Sequence, residues 1–172
     1  MSRLVWSLGA MAAERVFYGE NSTGVGGDVQ SATGLAAWMV GACAMGPEPI
    51  EIEGRYSRTD FADEEKDRIS KRFERLGLQI LNRTSGGPMT VDPTGSVLGD
   101  PEKRRAAAVM VGQAYVKAHL LMEHNRPAVE HVAEVLISKR EIHGDEVIEL
   151  LDSLNLEIPH FDPLEERAWP RI

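Results

Sequence analysis

The sequence predicts a mainly α protein: a compact helical bundle of five or six helices with at most a short strand pair. Three observations predict it. Over most of the chain apolar residues recur at three- and four-residue intervals, the spacing that gathers them on one face of a helix. The boundaries between these stretches carry helix punctuation: Gly46-Pro47-Glu48-Pro49 stops one, and Asp100-Pro101 and Pro127 each open another. Only Ile50-Glu51-Ile52-Glu53 alternates apolar and charged residues as a half-buried strand does.

Taken in order, the first helix is expected from about Arg3 to Tyr18, with Leu4, Leu8, Met11, Ala12 and Val16 on its inner face. A second runs from about Val29 to Ala44, rich in Ala, Met and Trp, and reads as buried. After the short strand, Phe61 to Leu81 forms a third helix. Asp60 is its expected cap, Ile69, Phe73, Leu76 and Ile80 form its apolar stripe, and Asp63, Glu64 and Glu65 sit where the helix dipole favours acids. Arg83 to Gly99, with four glycines and two prolines, reads as a loop. The fourth helix runs from Asp100-Pro101 to about Glu123, and the small residues of its Met110, Ala114, Ala118 and Leu121 stripe suit close packing. Pro127 opens the fifth, with Val132, Ala133, Leu136 and Ile137 inward; Asp145 to Leu154 is the sixth. Residues 1–155 are expected to form one helical domain, as length allows, and residues 156–172 an extended tail in which Trp169 either anchors or lies exposed.

Composition excludes several classes. With 27 acids against 19 bases the formal charge is −8, which argues against a nucleic acid or an anionic membrane as partner. The apolar run Gly34 to Pro47 is too short for a membrane span, which needs about 20 residues. One cysteine, Cys43, allows no internal disulfide and fits a reducing compartment.

The segment richest in chemical meaning is Ser22-Thr23-Gly24-Val25-Gly26-Gly27-Asp28. Three glycines in four positions let the backbone turn tightly and aim the carboxylate that follows. Two readings of Asp28 stand at this point: a cap for a helix starting near Val29, or a metal-binding carboxylate.

The surrounding residues carry a resemblance. Gly9-Ala10-Met11-Ala12-Ala13-Glu14-Arg15-Val16-Phe17-Tyr18-Gly19-Glu20 leads to Ser22-Thr23-Gly24, Asp28-Val29-Gln30 and Ala32-Thr33. A second block, from about Pro101 to Leu154, contains Ala114-Tyr115, Ala118, Leu121, Asn125-Arg126, Val132-Ala133, Leu136 and Gly144-Asp145-Glu146-Val147. Over these blocks, a little over half of the chain, the sequence resembles the peptidase domain of FtsH-type ATP-dependent zinc metalloproteases. The resemblance implies that Asp28 is the third zinc ligand and that residues 47–99, where no match is found, are a lineage-specific insertion or loop region. It implies zinc as cofactor, ATP used only through a separate AAA+ module, and a polypeptide substrate. It also implies a homo-oligomer, or a partner to an FtsH-type ring, with the peptidase domain on the cytoplasmic side of a membrane that the family is often anchored to.

The departures are specific. The resemblance requires an upstream His-Glu-x-x-His helix, with two histidines one turn apart on zinc and a glutamate activating its water. The sequence holds no such motif, and the chain opens where that helix is expected to have passed. It holds no Gly-x-x-x-x-Gly-Lys-Ser/Thr phosphate loop either. Gly27 stands where the family usually has a polar residue, and Met11 where it usually has arginine. The five histidines do not rebuild the site: His119 and His124, five apart, point about 140° from one another around a helix, and Pro127 breaks the helix before His131. The expectation is a metallopeptidase region with an incomplete active site, inactive alone, with Asp28 as its one metal-ligand residue and no catalytic residue assigned. The alternative is a non-catalytic, peptidase-like assembly or interaction module.

Overall fold

A computed structural model of the chain describes residues 1–52, 59–81 and 93–170. Its described residues form eight α-helices and no strand: α1 (Ser2–Ser7), α2 (Gly9–Tyr18), α3 (Gly26–Gly41), α4 (Thr59–Leu81), α5 (Pro93–Gly99), α6 (Pro101–His124), α7 (Arg126–Lys139) and α8 (Asp145–Ser153). The mainly α fold is as the sequence predicts. The extra helices have local causes. The expected first helix is broken at Leu8 (φ −96°, ψ 1°), where the Ser7 hydroxyl donates to the Arg3 carbonyl and Gly9 follows, a pairing that bends helices. Part of the expected loop is helical: Pro93 starts α5 with its φ already set for a helix, and α5 packs on α3. Residues 83–92 of that expected loop lie outside the described residues. α4 starts at Thr59, so Asp60 falls within its first turn and not at its cap.

α6 is the axis of the molecule. From Ala106 to Val116 it carries no charge, and Ala107 to Val116 are all buried. The expected narrow stripe is therefore too modest, because α1, α2, α3, α4 and α5 all pack around this helix. Asp100 caps it, its carboxylate accepting from the amides of Glu102 and Lys103 at 3.0 Å each, with Pro101 in the first turn. One core joins Leu4, Leu8 and Met11 to Val29, Ile80 and Tyr115. Each such aliphatic side chain taken out of water contributes about 1.5–3 kcal/mol before entropy is counted.

The expected strand at Ile50–Glu53 is absent at Ile50–Ile52, and Glu53 lies outside the described residues. A side chain takes the place of a strand partner. Gln113, buried on α6, accepts from the Glu48 amide (2.9 Å) and donates to the Glu48 carbonyl (2.8 Å), while Lys117 pairs with the Glu48 carboxylate. Ile50 and Ile52 then pack on a second core of Ile69, Phe73, Val109, Val116 and Trp169.

That second core also fixes the position of residues 156–170. Trp169 is buried, so it anchors: its ring lies 4.7 Å from Phe73 and 5.3 Å from Phe161, and its indole N–H donates to the Pro163 carbonyl (3.0 Å). Arg72 covers its face at 4.3 Å and grips Glu166 with two parallel bonds of 2.6 and 2.9 Å. Near the α6–α7 joint, Asn125 exchanges bonds with the Glu157 backbone and His124 meets the Glu157 carboxylate at 2.9 Å.

Candidate functional site

Asp28 is presented by a loop tied to the helix before it. α2 ends at Gly19, whose φ of +76° is a left-handed cap that glycine adopts without strain. The chain then turns back, and Glu14, one turn earlier on α2, latches it. The two carboxylate oxygens accept from the Ser22 amide (2.7 Å) and the Ser22 hydroxyl (2.8 Å). The same hydroxyl oxygen accepts from the Gly24 amide (3.1 Å), starting a single 3₁₀ turn over Thr23–Val25. Asn21 adds a bond to the Met11 carbonyl at 2.8 Å. The loop therefore leaves α2 and enters α3 along a fixed path.

α3 begins at Gly26, three residues before the expected start near Val29, so Asp28 is not its cap; the capping position is Val25, which offers no side-chain bond. Asp28 lies in the first turn, half-buried, where the unsatisfied N–H groups and helix dipole favour a carboxylate. Behind it, Val29 and Ala32 enter the core and the Thr33 hydroxyl donates to the Val29 carbonyl (2.7 Å), so the turn that carries Asp28 is backed by the core.

The latch is an acid–base element that the sequence reading did not single out. The Ser22 amide, and after it the Ser22 hydroxyl, hold the Glu14 carboxyl below the usual carboxylate range. A folded-state value below the unfolded one means that the latch is at full strength above the unfolded value and loosens as pH falls through the folded one. Amide exchange at Ser22 and Gly24, corrected for intrinsic rates, is expected to accelerate on that acidic descent. Glu14→Gln is expected to expose both amides already at neutral pH and to flatten the pH dependence; unchanged protection in that variant would show that the carboxylate does not hold the loop. The available signal was the eight-residue spacing of Glu14 and Ser22 across a glycine turn, which has no fixed motif.

The histidines do not gather at Asp28. His119 is half-buried on α6, beside Glu123 at 3.8 Å, and burial pulls its ring below its ordinary value while Glu123 opposes the shift. His124 is engaged with Glu157, His143 lies 3.4 Å from Glu141, and His131 and His160 are exposed. Among the described residues no group of three or more His, Cys, Asp or Glu side chains is placed to hold a metal ion. A zinc site needs three or four such donors, and the described residues do not gather that set around Asp28. A groove of about 770 Å³ lies elsewhere, between Met1–Val5, Glu48–Glu51, α6 and residues 158–163, and Asp28 does not line it. No described helix is long and apolar enough to cross a membrane.

Comparison with known proteins supplies the kinship. The chain is 31% identical over 147 residues to the ATP-dependent zinc metalloprotease FTSH 6, chloroplastic, of Arabidopsis thaliana, a match covering 84% of this chain and 18% of that protein. It is 30% identical over 171 residues to FTSH 2, chloroplastic, of Oryza sativa, covering 98% and 21%. It is 29% identical over 153 residues to FtsH 1 of Sorangium cellulosum, covering 87% and 20%. The chain thus spans about a fifth of the length of these curated relatives. No family model and no solved structure matches it. A helical fold and matches that run along nearly the whole chain make it an FtsH-type zinc metalloprotease region.

Proposed function

We propose that this chain is the part of an FtsH-type peptidase domain that follows the zinc-binding histidine helix, and that Asp28 is the third zinc ligand. The observation that carries this reading is the placement of Asp28: a half-buried carboxylate in the first turn of α3, delivered by a loop latched through Glu14 and Ser22. The two histidines and the glutamate base come from another segment or another chain. Alone, the chain does not cleave peptides; within a complete assembly it serves ATP-dependent proteolysis of polypeptides, the ATP being bound by a separate module. A cytoplasmic setting on the inner side of a membrane and assembly with further copies, or with an FtsH-type ring, belong to the same reading. So does the division into a helical domain over 1–155, with 47–99 as its variable part, and a tail over 156–172. A second reading, an assembly module without chemistry, draws on the apolar surface that α7 and α8 leave bare at Ile137 and Ile148.

Elemental analysis and zinc titration of the 172-residue chain test the proposal. The expected result is no stoichiometric zinc in the wild type or in Asp28→Ala. Stoichiometric zinc that Asp28→Ala removes would show that the chain completes a site of its own, and the shared-ligand reading would fail.

A further inference from the structure

The run from Glu48 to Ile52 is laid out as a strand and lacks a strand's partner. Its burial alternates: Glu48, Ile50 and Ile52 are half-buried, Pro49 and Glu51 exposed, and both isoleucines pack against the second core. At Glu48 the Gln113 side-chain amide accepts from the backbone N–H and donates to the backbone carbonyl, the two bonds that a facing strand would exchange. A strand turns the N–H and C=O of every second residue to the same side, so Ile50 and Ile52 continue the line that Gln113 begins. Along that line nothing answers them: the backbone of Ile50, Glu51 and Ile52 makes no hydrogen bond to any described residue. Pro49 falls on the other side, where a missing N–H costs nothing, as in the edge strands to which proline is confined.

This unpaired run borders the groove of about 770 Å³. Val5 on α1, Val116 and Leu120 on α6, and Phe161 line the groove together with Ile50, an apolar lining of a size that holds a ligand. Ile158 to Phe161, on the same groove, is a second run whose burial alternates and whose backbone bonds to no described residue. Unpaired backbone beside an apolar groove selects a ligand that brings both apolar side chains and N–H and C=O groups of its own. A small apolar molecule has no such groups, and a helix has already bonded its own to itself. We propose that this groove takes an extended segment of a partner polypeptide, which adds as a strand to Ile50–Ile52 and turns every second side chain, apolar in type, toward Val5, Val116 and Leu120. Backbone pairing supplies affinity and the alternation supplies selection. Asp28 does not line the groove, so this site lies apart from the proposed zinc ligand and stands or falls without it.

Titration of the full chain, without metal and with Asp28 intact, tests it. The probes are three capped peptides of about eight residues in which threonine alternates with valine, leucine or phenylalanine, read by calorimetry and by the backbone amide signals of residues 50–52. At least one of the three is expected to bind with a Kd below about a millimolar and to shift those signals. The same peptide N-methylated throughout keeps its side chains, loses its donors, and is expected to bind at least about tenfold more weakly. Ile50→Pro removes an N–H on the open side and should cost about tenfold, whereas Glu51→Pro, on the other side, and Ile50→Val, which keeps the N–H, should stay within about threefold of wild type. Circular dichroism should report wild-type helix content in all three variants. The proposal is overturned if none of the three peptides binds up to a millimolar, or if the N-methylated form binds as well as its parent, which would make the groove a plain apolar pocket. It is equally overturned if Glu51→Pro loses as much as Ile50→Pro, or if a second copy of the chain already fills the groove, seen as a mass above one chain that the peptides do not reverse.

Discussion

Gly77→Val is expected to lower the stability of the chain by about 3 kcal/mol or more, a large part of the roughly 5–15 kcal/mol that holds a domain of this kind. α4 and α6 make the most extensive helix contact among the described residues, and they reach it through two glycines. A Cβ on Gly77 would run into the Ala108 carbonyl, and a Cβ on Gly112 into the Phe73 carbonyl. The pairs Phe73/Gly77 and Ala108/Gly112 are each one turn apart and run antiparallel, so the two backbones touch at consecutive turns with no side chain between them. Neither obstacle is the movable end of a side chain, and the helices must separate to admit the methyl groups. That separation opens both cores, since Phe73 belongs to one and Ile80, Ala108 and Met110 to the other.

Urea unfolding monitored by circular dichroism reads the loss, and Gly34→Ala provides the contrast. Gly34 lies in α3 with open space where a Cβ would stand, so alanine there should be neutral or should stabilise by up to about 1 kcal/mol. Equal behaviour of Gly77→Val and Gly34→Ala would refute the close backbone crossing.

The helices were legible in the sequence wherever apolar spacing and punctuation agreed. Asp100-Pro101 marks the start of α6 and Pro127 the start of α7 because both act locally, through a cap and a fixed φ. What was not legible depends on contacts distant in sequence. Ile50–Ile52 alternates like a strand, yet Gln113, 65 residues on from Glu48, takes up the neighbouring backbone and no ladder forms. Trp169 could be read as buried or exposed until Phe73, Phe161 and Arg72 surround it. The burial of α6 on every side follows from five helices converging on it, although its uncharged run from Ala106 to Val116 was a readable sign.

For the candidate site the division falls in the same place. Asp28 was visible because a glycine-rich turn leads into it; its position inside the first turn of α3, and the Glu14–Ser22 latch behind it, were not. A cap assignment from sequence turns on one or two residues of helix boundary, the least certain part of any helix. The latch joins residues on opposite sides of a reversal, and no spacing rule specifies it.

The second large effect concerns zinc. On the proposed reading, a chain with a His-Glu-x-x-His helix joined ahead of residue 1 gains two histidines placed for zinc, a grouping absent among the described residues, and Asp28 would supply the third protein ligand of an open, three-ligand site. Loss of an outer-sphere partner in such sites costs roughly 10–100-fold in affinity, so removal of a direct ligand should cost at least the upper end of that range. Zinc stoichiometry and affinity of this joined protein, with and without Asp28→Ala, are therefore the measurement to make. The predicted result is one zinc per chain, weakened about a hundredfold or more by Asp28→Ala while helix content is retained. Zinc held equally tightly by the Asp28→Ala form would contradict the assignment of Asp28 as a ligand.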